Sequence, residues 1–141
     1  MYLKFIQLNM NRAEIAQTDL LRKLNQDRDL GFILLQEPYT YKKNLVRKPN
    51  GFDCYPSAPK DRPRTAIYVN KKLKFTELTP YCDTDCTAIF GKIAGHPTVV
   101  ASIYLDITRR VEIISSNINN LIDFAETNKF GLILGLSLIH I

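Results

Sequence analysis

Nowhere in this chain of 141 residues does an apolar run approach the length of a membrane span, about 18–20 residues. That excludes a transmembrane helix and predicts no membrane partner. Histidine is nearly absent, with only His96 and His140. Cys82-x-x-x-Cys86 therefore lacks a second ligand pair, and a zinc centre is not expected. Cysteine is sparse and odd in number: Cys54, Cys82 and Cys86. The N-terminus, Met1-Tyr2-Leu3-Lys4-Phe5, enters a strand at once, with no basic segment or small-residue cleavage site. Together these features predict a reduced compartment and no secretion signal. There are no internal repeats and no low-complexity segment, which argues against a repeat architecture.

What is present suffices for one domain with a real core: 45% of residues are hydrophobic. Lys and Arg number 19 against 14 Asp and Glu, a formal charge of +5. That excess favours a polyanionic partner, though many basic domains bind no nucleic acid.

The most informative segment is Leu34-Leu35-Gln36-Glu37-Pro38. It follows Phe32-Ile33, so a continuous apolar run predicts a strand over 32–36, buried on both faces. Pro38 has no N–H to continue the ladder. Glu37 thus stands at the mouth of a buried strand, where a charge needs a cation or hydrogen-bond donors. An earlier apolar strand, 3–8, ends similarly in Asn9-Met10-Asn11. Between them Arg12 to Asp27 reads as a helix, with Ala16, Leu20 and Leu24 on its apolar side and Glu14, Asp19, Arg22 and Lys23 in water. Strand, helix and strand make a βαβ unit, whose carboxyl strand ends are where ligands gather in open α/β sheets.

Residues 38–63 read as a long loop with five prolines and several basic residues, interrupted by a short strand near 53–55. Strands are expected at 65–69, 87–93 and 98–105, with a weaker one at 75–78 and a turn at Gly95-His96-Pro97. Val111, Ile114, Ile118, Leu121, Ile122 and Ala125 keep a helical period, and Leu132-Ile133-Leu134 begins another buried strand. Taken singly, Glu37 is a strand-end carboxylate, Asn9 turn chemistry, Tyr104 a core aromatic and Asp106 the start of a loop. Polar residues at the ends of three apolar strands form a pattern.

Leu8-Asn9-Met10-Asn11, Leu35-Gln36-Glu37-Pro38 and Ser102-Ile103-Tyr104-Leu105-Asp106, in that order, resemble the endonuclease/exonuclease/phosphatase superfamily. The nearer likeness is to the apurinic-type endonuclease domain of non-LTR retrotransposons of the jockey and R1 kind. Arg64-Thr65-Ala66-Ile67-Tyr68-Val69 resembles that family's strand after a variable DNA-facing loop. The resemblance covers 3–135 and implies a four-layer α/β-sandwich, of which 1–135 would be the N-terminal part. It implies an activity: nicking double-stranded DNA in the nucleus, beside a reverse-transcriptase domain of the same polyprotein made in the cytoplasm. By the resemblance Glu37 binds Mg²⁺, with Mn²⁺ as substitute, and Asn9 orients Glu37 or the scissile phosphate. Tyr104 hydrogen-bonds that phosphate. Asn11, Lys42, Lys43, Arg62 and Arg64 become candidate DNA contacts. A repair nuclease or phosphoesterase of the same superfamily, and a non-catalytic nucleic-acid-binding fragment, are the other readings.

The pattern breaks after Gly135. The family expects Asp-x-Asn there and Ser-Asp-His later; the chain reads Leu136-Ser137-Leu138-Ile139-His140-Ile141. His140 has nothing after it to orient it and is not assigned a role. The six residues are the in-frame translation of CTG TCT CTT ATA CAC ATC, which resembles the mosaic-end adapter of transposase-based sequencing libraries. Residues 136–141 are therefore expected to be a non-native tail, a frameshifted or decayed element being the other explanation. The chain alone is expected to be inactive, and poorly soluble through exposed apolar surface.

Overall fold

Seven consecutive residues, Leu30–Gln36, form a strand in which every position is buried. Such a strand needs a layer on each face. The computed structural model describes residues 3–27, 29–41, 44–46, 48–58, 62–105 and 111–138. Strands β1 (Lys4–Asn9), β2 (Leu30–Gln36), β5 (Phe52–Pro56) and β6 (Thr65–Asn70) form one sheet in the order β1-β2-β6-β5. Strands β7 (Phe75–Glu77), β8 (Cys86–Ile93), β9 (His96–Leu105) and β10 (Gly131–Leu138) form the second, in the order β10-β9-β8-β7. Helices α1 (Glu14–Leu24) and α2 (Val111–Thr127) complete the main elements.

Alternation along the strands decides which side chains meet which layer. Phe32, Leu34, Ile67 and Val69 face the second sheet and pack with Ile89, Val100 and Phe75. Ile33, Leu35, Ala66 and Tyr68 face the other way, onto Leu21 and Leu24 of α1. On the second sheet's outer face Ala88, Val99, Ala101 and Ile103 pack with Leu121 of α2. The layers run α1, sheet, sheet, α2, the four-layer α/β-sandwich that the resemblance implies. No described helix is long and apolar enough to cross a membrane.

Several local expectations are corrected. The expected loop over 38–63 also holds the antiparallel pair β3 (Thr40–Tyr41) and β4 (Asn44–Val46). Helix α1 begins at Glu14 rather than Arg12, because Asn11 and Arg12 take left-handed backbone, φ 48° and 54°. Its buried side is Gln17, Leu21 and Leu24, while Ala16 is exposed. The turn after β8 is Ala94-Gly95, both at positive φ (51° and 78°), the two-residue hairpin geometry that matches strand twist. His96 and Pro97 are already paired in β9, opposite Ile93 and Lys92. The neighbouring strand β10 pairs with β9 only from Thr98 onward, so the missing N–H of Pro97 faces no partner there. Strand β10 continues through Leu138 in parallel register with β9, three residues into the segment expected to be a tail. Residues 139–141, with His140, lie outside the described residues, as do Lys42, Lys43 and Asp106.

Candidate active site

The interior between the sheets changes character along its length. Below, it is apolar; at the end where β2 and β9 both finish, it turns polar. Gln36 and Thr65 of the first sheet meet Thr87 and Ser102 of the second, all four fully buried. Gln36 Nε2 donates to Ser102 Oγ at 2.8 Å, and that hydroxyl donates to the Leu35 carbonyl at 2.9 Å. The Thr65 and Thr87 hydroxyls share a bond of 2.7 Å. The Gln7 amide donates to Gln36 Oε1, closing the row on the β1 side. A hydrogen-bonded row between two sheets fixes their relative register where apolar contact alone would permit sliding.

Glu37 stands above this row. By alternation an odd residue of β2 faces α1, as Ile33 and Leu35 do. Glu37 instead has φ 48°, a left-handed backbone that costs on the order of 1–3 kcal/mol for a non-glycine residue. Its N–H donates to the Arg64 carbonyl at 2.7 Å, and its own carbonyl accepts from Arg12 N–H at 2.8 Å. The carboxylate reaches the second sheet, where Tyr104 Oη donates to Glu37 Oε1 at 2.7 Å. Among the described residues no donor reaches Oε2 of Glu37.

Two guanidinium groups, those of Arg64 and Arg12, lie beside this pair, and Arg62 stands near Arg12. Arg64 donates from Nη1 to Asp85 Oδ1 at 3.1 Å, and its Cζ lies 5.6 Å from the centre of the Tyr104 ring. Asp85 is buried, and its carbonyl accepts the Tyr104 N–H at 2.9 Å. Burial holds Arg12 below the usual arginine range; Arg62 and Arg64 act in the same direction, while Glu37 and Tyr104 oppose it. The arginine stays charged; its shift comes first from burial, with the positive charge of Arg62 and Arg64 adding to it. Such positive charge fits an incoming phosphodiester.

Of the residues expected from sequence, the structure brings Glu37 and Tyr104 into contact and sets Arg64 beside them, with Arg62 near Arg12. Asn9 lies at the same edge, paired with Gln36 in the ladder. Its Nδ2 donates to Ser137 Oγ at 2.7 Å and its Oδ1 accepts from Asn11 N–H at 2.8 Å, so its amide engages β10 and the Asn11 turn. Asn11 is exposed. Arg12, Asp85 and Ser137 were not singled out in the sequence. Arg12 reads there as the first residue of a helix, and nothing local marks Asp85 as the partner of Arg64, 21 residues away.

The endonuclease domain of TRAS1, a telomere-specific non-LTR retrotransposon, superposes with TM-score 0.76 at 18% identity over 95% of this chain and 57% of that one. An endonuclease/exonuclease/phosphatase family protein from Leptotrichia buccalis C-1013-b gives 0.56 at 13% identity, over 86% and 62%. The chain has the endonuclease/exonuclease/phosphatase fold. It spans less than two thirds of either structure. No protein-family model and no curated protein matches the chain.

Proposed function

We propose that this chain carries part of the phosphate-facing site of a metal-dependent DNA endonuclease, of the kind that nicks target DNA to prime reverse transcription in a retrotransposon. The observation that carries the reading is the Tyr104–Glu37 bond across the two sheets. It joins a carboxylate and a phenol beside Arg12 and Arg64, at the strand ends where this fold class binds ligands. The endonuclease domain of the TRAS1 retrotransposon has the same fold. A reverse-transcriptase partner in one polyprotein and action in the nucleus belong to this proposal.

The donors fit Mg²⁺, or Mn²⁺ in its place. Glu37 offers a hard oxygen with one side uncommitted among the described residues, and magnesium accepts one carboxylate with waters and phosphate oxygens. The neighbouring arginines disfavour a bare dication and favour one that arrives with a phosphate. When bound, such an ion withdraws electron density from the phosphorus.

The chain's own groups do the rest. Arg12 and Arg62 hold phosphate oxygens and fix the duplex in place without reading its sequence. Arg64, tethered by Asp85, keeps the Tyr104 ring oriented. The Tyr104 hydroxyl, now on Glu37 Oε1, can turn its proton to a phosphate oxygen as negative charge builds there. Asn9 sets the edge of β10 against the site through Ser137. The Asp-x-Asn and Ser-Asp-His segments of the resemblance have no counterpart in the 141 residues, and we infer that this chain by itself binds DNA without cleaving it.

The test is duplex binding across a range of salt concentrations. Several phosphate contacts give a steep fall in affinity, with a log–log slope of about −0.9 per contact. A phosphoesterase acting on a small ester would bind duplex weakly and with a shallow slope.

A further inference from the structure

Helix α1 buries one polar side chain among its apolar ones. Gln17 is 1% exposed, between the helix and the first sheet. Its Oε1 accepts the N–H of Tyr39 at 2.7 Å, and its Nε2 donates to the Tyr39 carbonyl and the Tyr68 hydroxyl, both at 3.4 Å. Both backbone groups of one residue are thus held by one side chain. A methionine or leucine at this point would fit the apolar stripe without a desolvated amide, so the amide is explained by what it grips.

Tyr39 lies two residues beyond Glu37, across Pro38. Pro38 pushes the residue before it toward extended backbone, yet Glu37 has φ 48°. Such a conformation persists only where its surroundings over-determine it. Here four hydrogen bonds do so: Glu37 to the backbone of Arg64 and Arg12, and Tyr39 to Gln17 twice. Of these four, the two Gln17 bonds come from a side chain, so these can be removed by substitution.

We propose that Gln17 is a positioning residue for Glu37: it anchors the Glu37-Pro38-Tyr39 turn and holds the carboxylate toward Tyr104 instead of toward α1. The inference rests on Glu37 being the site's carboxylate.

The experiment is native-state hydrogen exchange of the 141-residue chain at low micromolar concentration, resolved to single amides, with Mn²⁺ titrated in the presence of a short DNA duplex. In the wild type the Tyr39 amide exchanges as slowly as that of Leu35 in β2, to within about tenfold. Gln17→Met accelerates both the Tyr39 and Glu37 amides by about tenfold more than that of Leu35, the scale of a lost buried hydrogen bond, and weakens Mn²⁺ by a similar factor. Leu21→Ala, a core change in the same helix, speeds the β2 amides uniformly. Gln17→Asn, which withdraws the amide by one methylene, gives the Gln17→Met pattern if that variant does not fold.

Fast exchange of Tyr39 in the wild type overturns the proposal. So does Gln17→Met acting on Tyr39 alone, or Leu21→Ala reproducing its pattern. If the amides respond as expected but the wild type binds no Mn²⁺, the positioning of Glu37 stands and the metal reading fails.

Discussion

Tyr104 and Glu37 begin in different sheets, yet the phenol donates to the carboxylate at 2.7 Å. The contact exists because Glu37 leaves the strand alternation through a left-handed backbone. Replacing Tyr104 by Phe removes a hydrogen bond to a charged acceptor and is expected to cost about 1.5 kcal/mol in urea denaturation. In a double-mutant cycle with Glu37→Ala the two changes should couple by about 1 kcal/mol. Strict additivity would mean that the bond contributes nothing.

Arg12 stands near Glu37 and Tyr104, and Arg62 stands near Arg12. Arg12→Ala and Arg62→Ala should each weaken duplex binding for all sequences and reduce the salt slope by about one contact. Fluorescence anisotropy at several salt concentrations reads both effects. A slope unchanged in both variants would place the phosphates elsewhere.

Gly135 lies where β10 passes the first sheet. A Cβ built there would fall 2.9 Å from Leu34 Cδ1 and 3.0 Å from Gln7 Cγ. Gly135→Val is therefore expected to destabilise by about 1–3 kcal/mol through overpacking, read as a shifted urea midpoint. A neutral result would show that β10 does not approach the first sheet this closely.

Burial pushes the Cys54 thiol up to about 12. Cys86 and the Tyr68 phenol move in the same direction for the same reason. In the unfolded chain a thiol titrates near about 8.5, so above that pH the unfolded state releases protons that the native state keeps. Stability contributed by these groups is complete below about pH 8.5 and declines as pH rises toward the native values. Urea midpoints under reducing conditions should fall from pH 8 to 10, and less steeply in Cys54→Ala. A flat profile would contradict the burial of these groups.

Strands β1 and β10 are the edges of their sheets, and Phe5, Leu8 and Leu136 are the exposed large hydrophobics on them. Open apolar edges associate. Leu136 is 45% exposed, so Leu136→Lys should raise the concentration at which light scattering detects association and leave the melting temperature nearly unchanged. Association equal to that of the wild type would shift responsibility to another surface.

The residues that were legible in the sequence are those whose neighbours are local. The apolar run before Glu37 announced β2, and the period of Ile118, Leu121 and Ala125 announced α2. Tyr104 was legible as a polar group at the end of a buried strand and took its phosphate role from the resemblance. Its bond to Glu37 was not legible, since no local pattern links the two sheets. Gln17 was hidden: the i+4 spacing of Ala16, Leu20 and Leu24 drew the apolar side one residue away. The backbone of Tyr39, 22 residues further on, turns Gln17 inward. The left-handed turn at Asn11 and Arg12 carries no glycine to mark it, so the helix start was placed too early and Arg12 was missed. Ser137 gains meaning from the parallel register that sets it beside Tyr104 and from the bond it accepts from Asn9.

Glu37 is proposed to bind a divalent cation together with a DNA phosphate. The most direct measurement is Mn²⁺ binding, followed by water-proton relaxation, with and without a short duplex, for wild type and Glu37→Gln. The expected result is an ion bound by the wild type when duplex is present, and a Glu37→Gln variant that keeps the duplex but loses the ion. Equal Mn²⁺ binding by both proteins, or none by the wild type with duplex bound, would contradict it.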